Sequence, residues 1–373
     1  MIYLDNSATT KPCDEAVQAA REAMETAWGN PSSLHDLGIA AERALRTARQ
    51  QTAQALGCEP DRVFFTSGGT EADNWAIFSA AERLKKRGNH IITTQIEHHA
   101  VLHPMQHLEQ QGFEVSYLAP DPDGSIPLER LKTALRPDTI LVSVMLVNNE
   151  TGAVQPIESM AKLTHRLSPN ALFHTDAVQG LFHVPFRAQT LGADLISVSG
   201  HKVHALKGAG ALYIRRGLSL PPYLHGGGQE SGYRSGTEAV PAIVSFGAAC
   251  AALQGTAMAD MRRMQERKTQ LRQLLSRLPE VVLIGDTAAP PLQSLAVPGV
   301  RSQGLINCLQ DLGVYVSAGS ACAKGHRSHV LEAMGVPAET IDGAIRVSLS
   351  RETTEEEIER FAGALQTAIA RLN

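Results

Sequence analysis

Short apolar runs alternate with amphipathic stretches between residues 60 and 215, and this alternation constrains the fold more than any other feature of the sequence. The runs have the length of strands and are rich in β-branched or aromatic residues; they cover 62–66, 90–95, 139–147, 171–175, 193–199 and 209–214. Most are separated by stretches long enough for a crossover helix. The alternation predicts an α/β fold with a mostly parallel sheet that is covered by helices on both faces.

The pattern changes after Pro241. One long helical stretch is predicted over 242–278, and strand-like runs follow at 281–284, 294–297, 314–317 and 344–350. The last helix is expected to begin after Thr353, which stands three residues before Glu356 and so has the spacing of a capping box. The C-terminal third therefore predicts a smaller α+β domain.

Composition and charge exclude several classes of protein. The chain has 373 residues, of which 43% are apolar and 19% charged, and these values exclude a mainly disordered chain. A net charge of −4 argues against a nucleic-acid-binding surface. The sequence has no secretory signal, no apolar stretch long enough to span a membrane, and five cysteines without a CxxC pair. We expect a cytoplasmic protein without a membrane or nucleic-acid partner.

Polar side chains follow five predicted strands of the first domain, at the point where each strand ends. The groups that follow these strands are 67–71, 97–99, 148–150, Asp176 with Gln179, and 199–202. In an open α/β sheet, ligands bind outside the carboxyl ends of the strands. The sequence therefore predicts one ligand site at this edge of the sheet.

Lys202 and Asp176 follow two of these strands, and together they are the groups that a pyridoxal phosphate enzyme needs. The lysine amine forms a Schiff base and later moves the α-proton of the substrate. The carboxylate keeps the ring nitrogen protonated, so that the ring accepts electrons. Taken alone, the two residues would be explained as a surface lysine and an N-cap aspartate. The polar groups at the other strand ends favour the functional interpretation.

Other polar residues of this edge allow a functional and an ordinary interpretation. The turn 67–70 could direct backbone N–H groups at an anion, although a plain strand-to-helix turn is commoner. His98 could stack on a flat ring or be a loop histidine. His99, His103 and His107 have helical spacing for a metal, but Pro104 interrupts the segment and no other ligand completes the set. We predict no metal site.

Two residues of the C-terminal third have chemistry of their own. Cys322 stands among small residues, and the basic side chains that follow it favour a thiolate; an incidental loop cysteine is the alternative. Arg346 alternates with apolar residues on a predicted strand, so it lies on the polar face and suits bidentate capture of a carboxylate. A surface salt bridge is its alternative.

Eight motifs in order resemble those of the NifS/IscS-like cysteine desulfurases, which are pyridoxal phosphate enzymes of the class V aminotransferase type. The motifs are YLDNSATT (3–10), TSGGTE (66–71), EHH (97–99), VNNETG (147–152), DAVQ (176–179), SGHK (199–202), RSGT (234–237) and GSAC (319–322). The resemblance extends to the final helix. It implies the type I pyridoxal phosphate-dependent transferase fold, with a large cofactor-binding domain of residues 15–245 and a small domain of residues 1–14 and 246–373.

The resemblance also implies the roles of individual residues. Lys202, Cys322 and His98 would be catalytic, and Arg346 and Asn149 would hold the substrate carboxylate. The residues implied to bind the cofactor are Lys202, Asp176, Gln179, Thr70, Gly69, Asn149, Ser199, His201, His98 and Thr237, the last of them reaching the neighbouring subunit of a homodimer. After Cys322 the segment is shorter and more basic than in many relatives, so the sulfur acceptor it serves stays open.

The activity implied is conversion of L-cysteine to L-alanine, with sulfur passed as a persulfide on Cys322 to an acceptor protein for iron–sulfur cluster, thiolated-cofactor or tRNA synthesis. Another class V enzyme, either a selenocysteine lyase or an aminotransferase, is the alternative within enzymes. A cofactor-free partner or scaffold protein is the alternative outside them, and the presence of Lys202, Asp176 and Cys322 opposes it.

Overall fold

The computed structural model describes residues 1–285, 288–318 and 327–372. Its strands are β1 (Ile2–Tyr3), β2 (Val63–Thr66), β3 (His90–Thr94), β4 (Glu114–Leu118), β5 (Thr139–Ser143), β6 (Leu172–Asp176), β7 (Leu195–Ser199), β8 (Gly210–Ile214), β9 (Val282–Ile284), β10 (Leu292–Ala296), β11 (Val314–Tyr315) and β12 (Ala344–Ser348).

The helices are α1 (Asp14–Thr26), α2 (Asp36–Leu56), α3 (Gly69–Leu84), α4 (His99–Gln110), α5 (Leu128–Ala134), α6 (Ile157–Leu167), α7 (Ala188–Leu191), α8 (Val240–Gln254), α9 (Ala257–Leu275), α10 (Ser302–Asp311), α11 (His329–Ala333), α12 (Ala338–Asp342) and α13 (Glu355–Leu372). Short 3-10 helices cover Pro60–Arg62, Gly200–Lys202 and Glu230–Gly232. Within the described residues, no single helix is both long and apolar enough to cross a membrane.

The main sheet has seven strands in the order β2-β8-β7-β6-β5-β3-β4. Strands β4, β3, β5, β6 and β7 pair in parallel, whereas β8 pairs antiparallel with both of its neighbours. Consecutive residues of one strand enter different apolar clusters, as Ile91 and Ile92 do, so both faces of the sheet are covered. The predicted mostly parallel α/β sheet is confirmed.

A third apolar cluster lies among the chain termini. It joins Ile2 and Leu4 to residues of β12 and to Phe361 of α13. The sheets beside it are small: β12-β10-β9 is antiparallel, and β1 pairs in parallel with β11. The first residues of the chain therefore pack with the last hundred, which brings the segment 3–10 next to β12.

Several details differ from the sequence prediction. The predicted helix 242–278 is two helices, α8 and α9, which meet at an angle of 76° around Gly255 and Thr256. The capping box of α13 forms one residue later than predicted, because Thr354 and Glu357 exchange their side-chain and backbone hydrogen bonds. Thr353 instead accepts from the backbone N–H of Ser350.

Pro104 does not interrupt the histidine segment, contrary to the prediction, because α4 continues through it. A proline leaves the carbonyl four residues earlier without its helical donor. The side-chain amide of Asn74 donates to that carbonyl, Ala100 O, at 3.4 Å. Within the described residues there is still no group of three His, Cys, Asp or Glu side chains placed to hold a metal ion.

Candidate active site

One cavity of about 280 Å³ lies at the carboxyl ends of the central strands, on the side where β12 and the segment 3–10 approach the main sheet. Ten of the predicted site residues line it: Gly69, Thr70, His98, Asn149, Asp176, Gln179, Ser199, His201, Lys202 and Arg346. These residues come from five strand ends of the large sheet and from one strand of a small sheet. The fold therefore brings them together across more than 270 positions of sequence.

Lys202 lies in the 3-10 helix that directly follows β7. Its ammonium group donates to the backbone carbonyl of Ser7 and, at 2.9 Å, to that of Ala8. Ser7 and Ala8 also line the cavity. The segment 3–10 contributed to the prediction only through the family resemblance, and its role in holding Lys202 was missed because backbone carbonyls leave no signal in residue types.

Asp176 ends β6 and lines the cavity, and its Oδ1 accepts from Val178 N at 2.9 Å. Burial, followed by repulsion from the Asp73 carboxylate, raises the pKa of Asp176 to about 7. A cation bound beside this carboxyl would lower the pKa again, because opposite charge favours ionisation. Asp176 is therefore suited to a protonated ring nitrogen.

Asp73 is a cavity residue that the sequence analysis did not identify. It lies on the buried face of α3, and burial raises the pKa of its carboxyl to about 7. The imidazole of His174, two residues before Asp176, is 3.5 Å from it and also contacts Ser143 Oγ at 2.8 Å and Ser197 Oγ at 3.0 Å. These contacts hold His174 in place on β6, two residues before Asp176.

The part of the cavity wall formed by Gly69, Thr70 and Ser199 has the character of an anion site. Gly69 and Thr70 begin α3, where N–H groups without helical partners and the helix dipole attract negative charge. A Cβ on Gly69 would lie 2.6 Å from Val178 Cγ2, so a larger residue would not fit here without displacement of Val178. The hydroxyl of Ser199 is buried without a hydrogen-bond partner.

His98 caps the N-terminus of α4, and its Nδ1 accepts from Ala100 N at 3.1 Å. Burial, and then the positive charge of Lys202, lower the pKa of His98 to about 4, so the ring is neutral at pH 7. Because Nδ1 is an acceptor, the ring proton is on Nε2. His98 is thus a neutral donor on the cavity wall rather than a solvated loop histidine.

Arg346 is 2% exposed, so the alternative of a surface salt bridge is wrong. Its Nη1 donates to Asn149 O at 2.8 Å and its Nη2 to Asp5 Oδ1 at 3.0 Å, whereas Nε has no partner. A buried guanidinium that keeps an unpaired donor next to a cavity suits a substrate carboxylate. Asp5 was missed because its partner stands far away in the sequence.

Among the described residues, one predicted site residue is not among those that line the cavity. Thr237 is exposed. Cys322 lies outside the described residues. Three other cysteines have thiols with a raised pKa, mainly through burial: Cys13, Cys250 and Cys58, for which the value is about 12. Such thiols are poor nucleophiles near neutral pH.

Two cavity groups lack a protein partner in positions that suit pyridoxal phosphate. They are the hydroxyl of Ser199 and Oε1 of Gln179. Gly69, Thr70 and Ser199 would hold the phosphate, Asp176 the ring nitrogen and Gln179 the phenolic oxygen, beside the amine of Lys202. The residues present therefore fit this cofactor.

Fold and site together define a pyridoxal phosphate-dependent enzyme, and the comparison with known proteins agrees. The Aminotransferase class-V family matches residues 2–361. The chain is 42% identical to cysteine desulfurase IscS of Methanosarcina thermophila, over 100% of this chain and 92% of the relative. The chain belongs to the NifS/IscS-like cysteine desulfurases, as predicted.

Solved structures confirm the predicted type I transferase fold. A NifS-like protein has a TM-score of 0.94 and 38% sequence identity, and the match covers 100% of both chains. The structure of SspA in complex with cysteine has a TM-score of 0.82 and 32% identity, covering 95% of this chain and 100% of that one.

Proposed function

We propose that this protein converts L-cysteine to L-alanine and transfers the sulfur, as a persulfide on Cys322, to an acceptor protein. The observation that carries the proposal is the presence of Lys202, Asp176 and Arg346 in one cavity. The similar SspA structure contains cysteine, which supports cysteine as the substrate. Pyridoxal phosphate, when bound, supplies an electron sink that weakens bonds at the α-carbon of an amino acid.

The residues of the chain would divide the remaining work between binding and proton transfer. Arg346 and Asn149 hold the substrate carboxylate, and the contact with Asp5 keeps the guanidinium oriented. Lys202 takes the α-proton once its amine is free. The neutral His98 has a proton on Nε2 that it can donate.

The sulfur step balances without an external oxidant. The thiolate of Cys322 attacks the substrate sulfur, an S–S bond forms, and the Cβ–S bond breaks with its electron pair left on the carbon side. A proton then reaches Cβ, which becomes the methyl group of alanine. The thiol of Cys322 is oxidised to the persulfide while Cβ is reduced.

Anaerobic incubation of the purified protein with L-cysteine tests this proposal. We expect equal amounts of alanine and persulfide sulfur in the first turnover, without a keto-acid acceptor, and extra mass of one sulfur atom on the Cys322 peptide. Cys322→Ser should keep the bound cofactor and lose the sulfur transfer. Alanine formed only with a keto acid would indicate an aminotransferase, and a fully active Cys322→Ser would contradict the role of Cys322.

The same proposal includes a homodimer in the cytoplasm, and a large domain of residues 15–245 beside a small one. The exposed Thr237 supports a contact with the partner's cofactor, and the exposed Trp28 and Leu34 support an apolar interface. The free thiols of Cys13, Cys58, Cys250 and Cys308 support a reducing compartment. The third apolar cluster supports the small domain.

A further inference from the structure

Glu150 is a buried carboxyl group on the cavity wall that has no part in the steps described above. Its Oε2 accepts a hydrogen bond from Ser328 Oγ. Burial raises the pKa of Glu150 and outweighs the opposing effects of Ser328, His329 and Arg346. The group is therefore suited to act as a hydrogen-bonding partner rather than as a counter-ion.

The turn that carries Glu150 is held rigidly. Asn148 Oδ1 accepts from the backbone N–H groups of Glu150 and Thr151, both at 2.9 Å, and from Thr151 Oγ1 at 3.1 Å. Ser294 Oγ donates to the Glu150 carbonyl at 2.7 Å. Because the same turn also accepts from Arg346, through Asn149 O, it links the proposed carboxylate site to Ser328.

Ser328 and its neighbour are held from other directions as well. Ser328 Oγ accepts from Leu331 N at 3.1 Å and so caps α11. His329 Nε2 lies 3.0 Å from Glu97 O, and its ring lies 4.9 Å from that of His99. This stretch is therefore a fixed point on the cavity wall, and the bond to Glu150 is its contact with the turn 148–151.

The sequence places this fixed point six positions after Cys322. Six residues span at most about 20 Å. On the other side of Cys322, Ser317 O accepts from Arg346 N at 2.7 Å, five positions before the cysteine. Both described flanks of the cysteine segment are thus bonded to the residues proposed to hold the substrate carboxylate, or to their immediate neighbours.

We propose that Glu150 is a positioning residue of the sulfur-transfer step: it holds Ser328, six positions after Cys322, against the turn beside Arg346. This inference rests on the proposed role of Cys322. Loss of the Glu150–Ser328 bond should slow sulfur transfer to Cys322 and leave binding of cofactor and cysteine nearly unchanged, because neither ligand requires that bond.

The experiment compares the holoenzymes of Glu150→Ala, Glu150→Gln, Ser328→Ala and the double variant Glu150→Ala/Ser328→Ala. Three quantities are measured: the visible absorption of bound cofactor, KM for L-cysteine, and the single-turnover rate of persulfide formation on Cys322. Glu332→Ala is the matched control, because it removes an exposed carboxylate from the same short helix.

We expect Glu150→Ala and Ser328→Ala each to lower the persulfide rate about tenfold, which corresponds to about 1.4 kcal/mol. KM should change less than threefold, and the double variant should be no slower than the slower single variant. Glu150→Gln should recover the rate to within twofold, because an amide oxygen accepts from Ser328 without charge. Glu332→Ala should have the persulfide rate and the KM of the wild type.

Three results would overturn the inference. They are a wild-type persulfide rate in Ser328→Ala, multiplied losses in the double variant, and Glu150→Gln as slow as Glu150→Ala. If Glu150→Ala fails to fold, a wild-type rate in Ser328→Ala still overturns the inference. If Cys322→Ser itself stays active, the proposed role of Cys322 fails, which is a distinct outcome.

Discussion

Asp5 and Arg346 stand 341 positions apart in the sequence, yet Asp5 Oδ1 accepts a hydrogen bond from Arg346 Nη2 at 3.0 Å inside the cavity wall. The carboxylate is partly exposed and the guanidinium is buried. The pair thus ties the first residues of the chain to β12 and holds the guanidinium beside the cavity.

Asp5→Ala should raise KM for L-cysteine about three- to tenfold, because a guanidinium without this acceptor loses its fixed orientation. Asp5→Asn keeps an acceptor oxygen, so its KM for L-cysteine should lie between those of Asp5→Ala and the wild type. Steady-state kinetics check this, with Glu25→Ala as a control that breaks only the exposed pair with Arg21. An unchanged or lowered KM in Asp5→Ala would contradict the orienting role.

Ser199→Ala tests the proposed phosphate contact. The hydroxyl has no partner in the protein, so its removal should leave the stability of the cofactor-free protein within about 0.5 kcal/mol of the wild type. Affinity for pyridoxal phosphate should fall about tenfold through loss of one hydrogen bond to a charged group.

Thr175→Val is the matched control for Ser199→Ala. Thr175 also has a buried hydroxyl without a partner, but it is not among the residues that line the cavity. Equilibrium titration of both cofactor-free proteins with pyridoxal phosphate provides the comparison. Equal affinities for the two variants would argue against a phosphate contact at Ser199.

The raised pKa of Asp73 predicts that the free energy of unfolding depends on pH. Its folded-state pKa of about 7 lies above the ordinary value of 3.8, so the folded state binds the proton more tightly than the unfolded state. The stabilisation from this proton is complete below the unfolded pKa and is lost as the pH rises towards 7. Asp73→Asn should therefore stabilise the cofactor-free protein at pH 8, by about 1–3 kcal/mol, and give no gain at pH 4.

Urea unfolding of the cofactor-free protein at the two pH values measures this difference. Asp311→Asn is a control, because it changes an exposed carboxylate outside the cavity. A loss of stability in Asp73→Asn at pH 8 would show that the charge of Asp73 is compensated in the folded protein, contrary to our account.

The strands of the sheet centre could be predicted from sequence because they are buried along their whole length. Strands β3, β5, β6 and β7 are buried at every residue and consist mainly of apolar, Ser and Thr residues. Strand β4 was missed because it lies at the sheet edge, where most of its residues stay partly exposed and no apolar run forms. Helices α8 and α9 merged in the prediction because no proline separates them.

The candidate site could likewise be predicted only in part. Side chains that follow strands, such as Lys202 and Asp176, could be predicted because the edge of a parallel sheet collects them. The contacts that hold them could not be predicted from the sequence. The carbonyls of Ser7 and Ala8 have no residue-type signal. Asp5 and Ser328 come close to the site only in the folded chain.

The most direct test of the central claim is the site of covalent attachment on the protein. The holoenzyme is reduced with borohydride, digested and analysed by mass spectrometry. Our account predicts a phosphopyridoxyl group on Lys202 alone, and its absence from Asp176→Ala or a marked reduction there. An unmodified Lys202 in protein saturated with pyridoxal phosphate, or a label on another lysine, would contradict it.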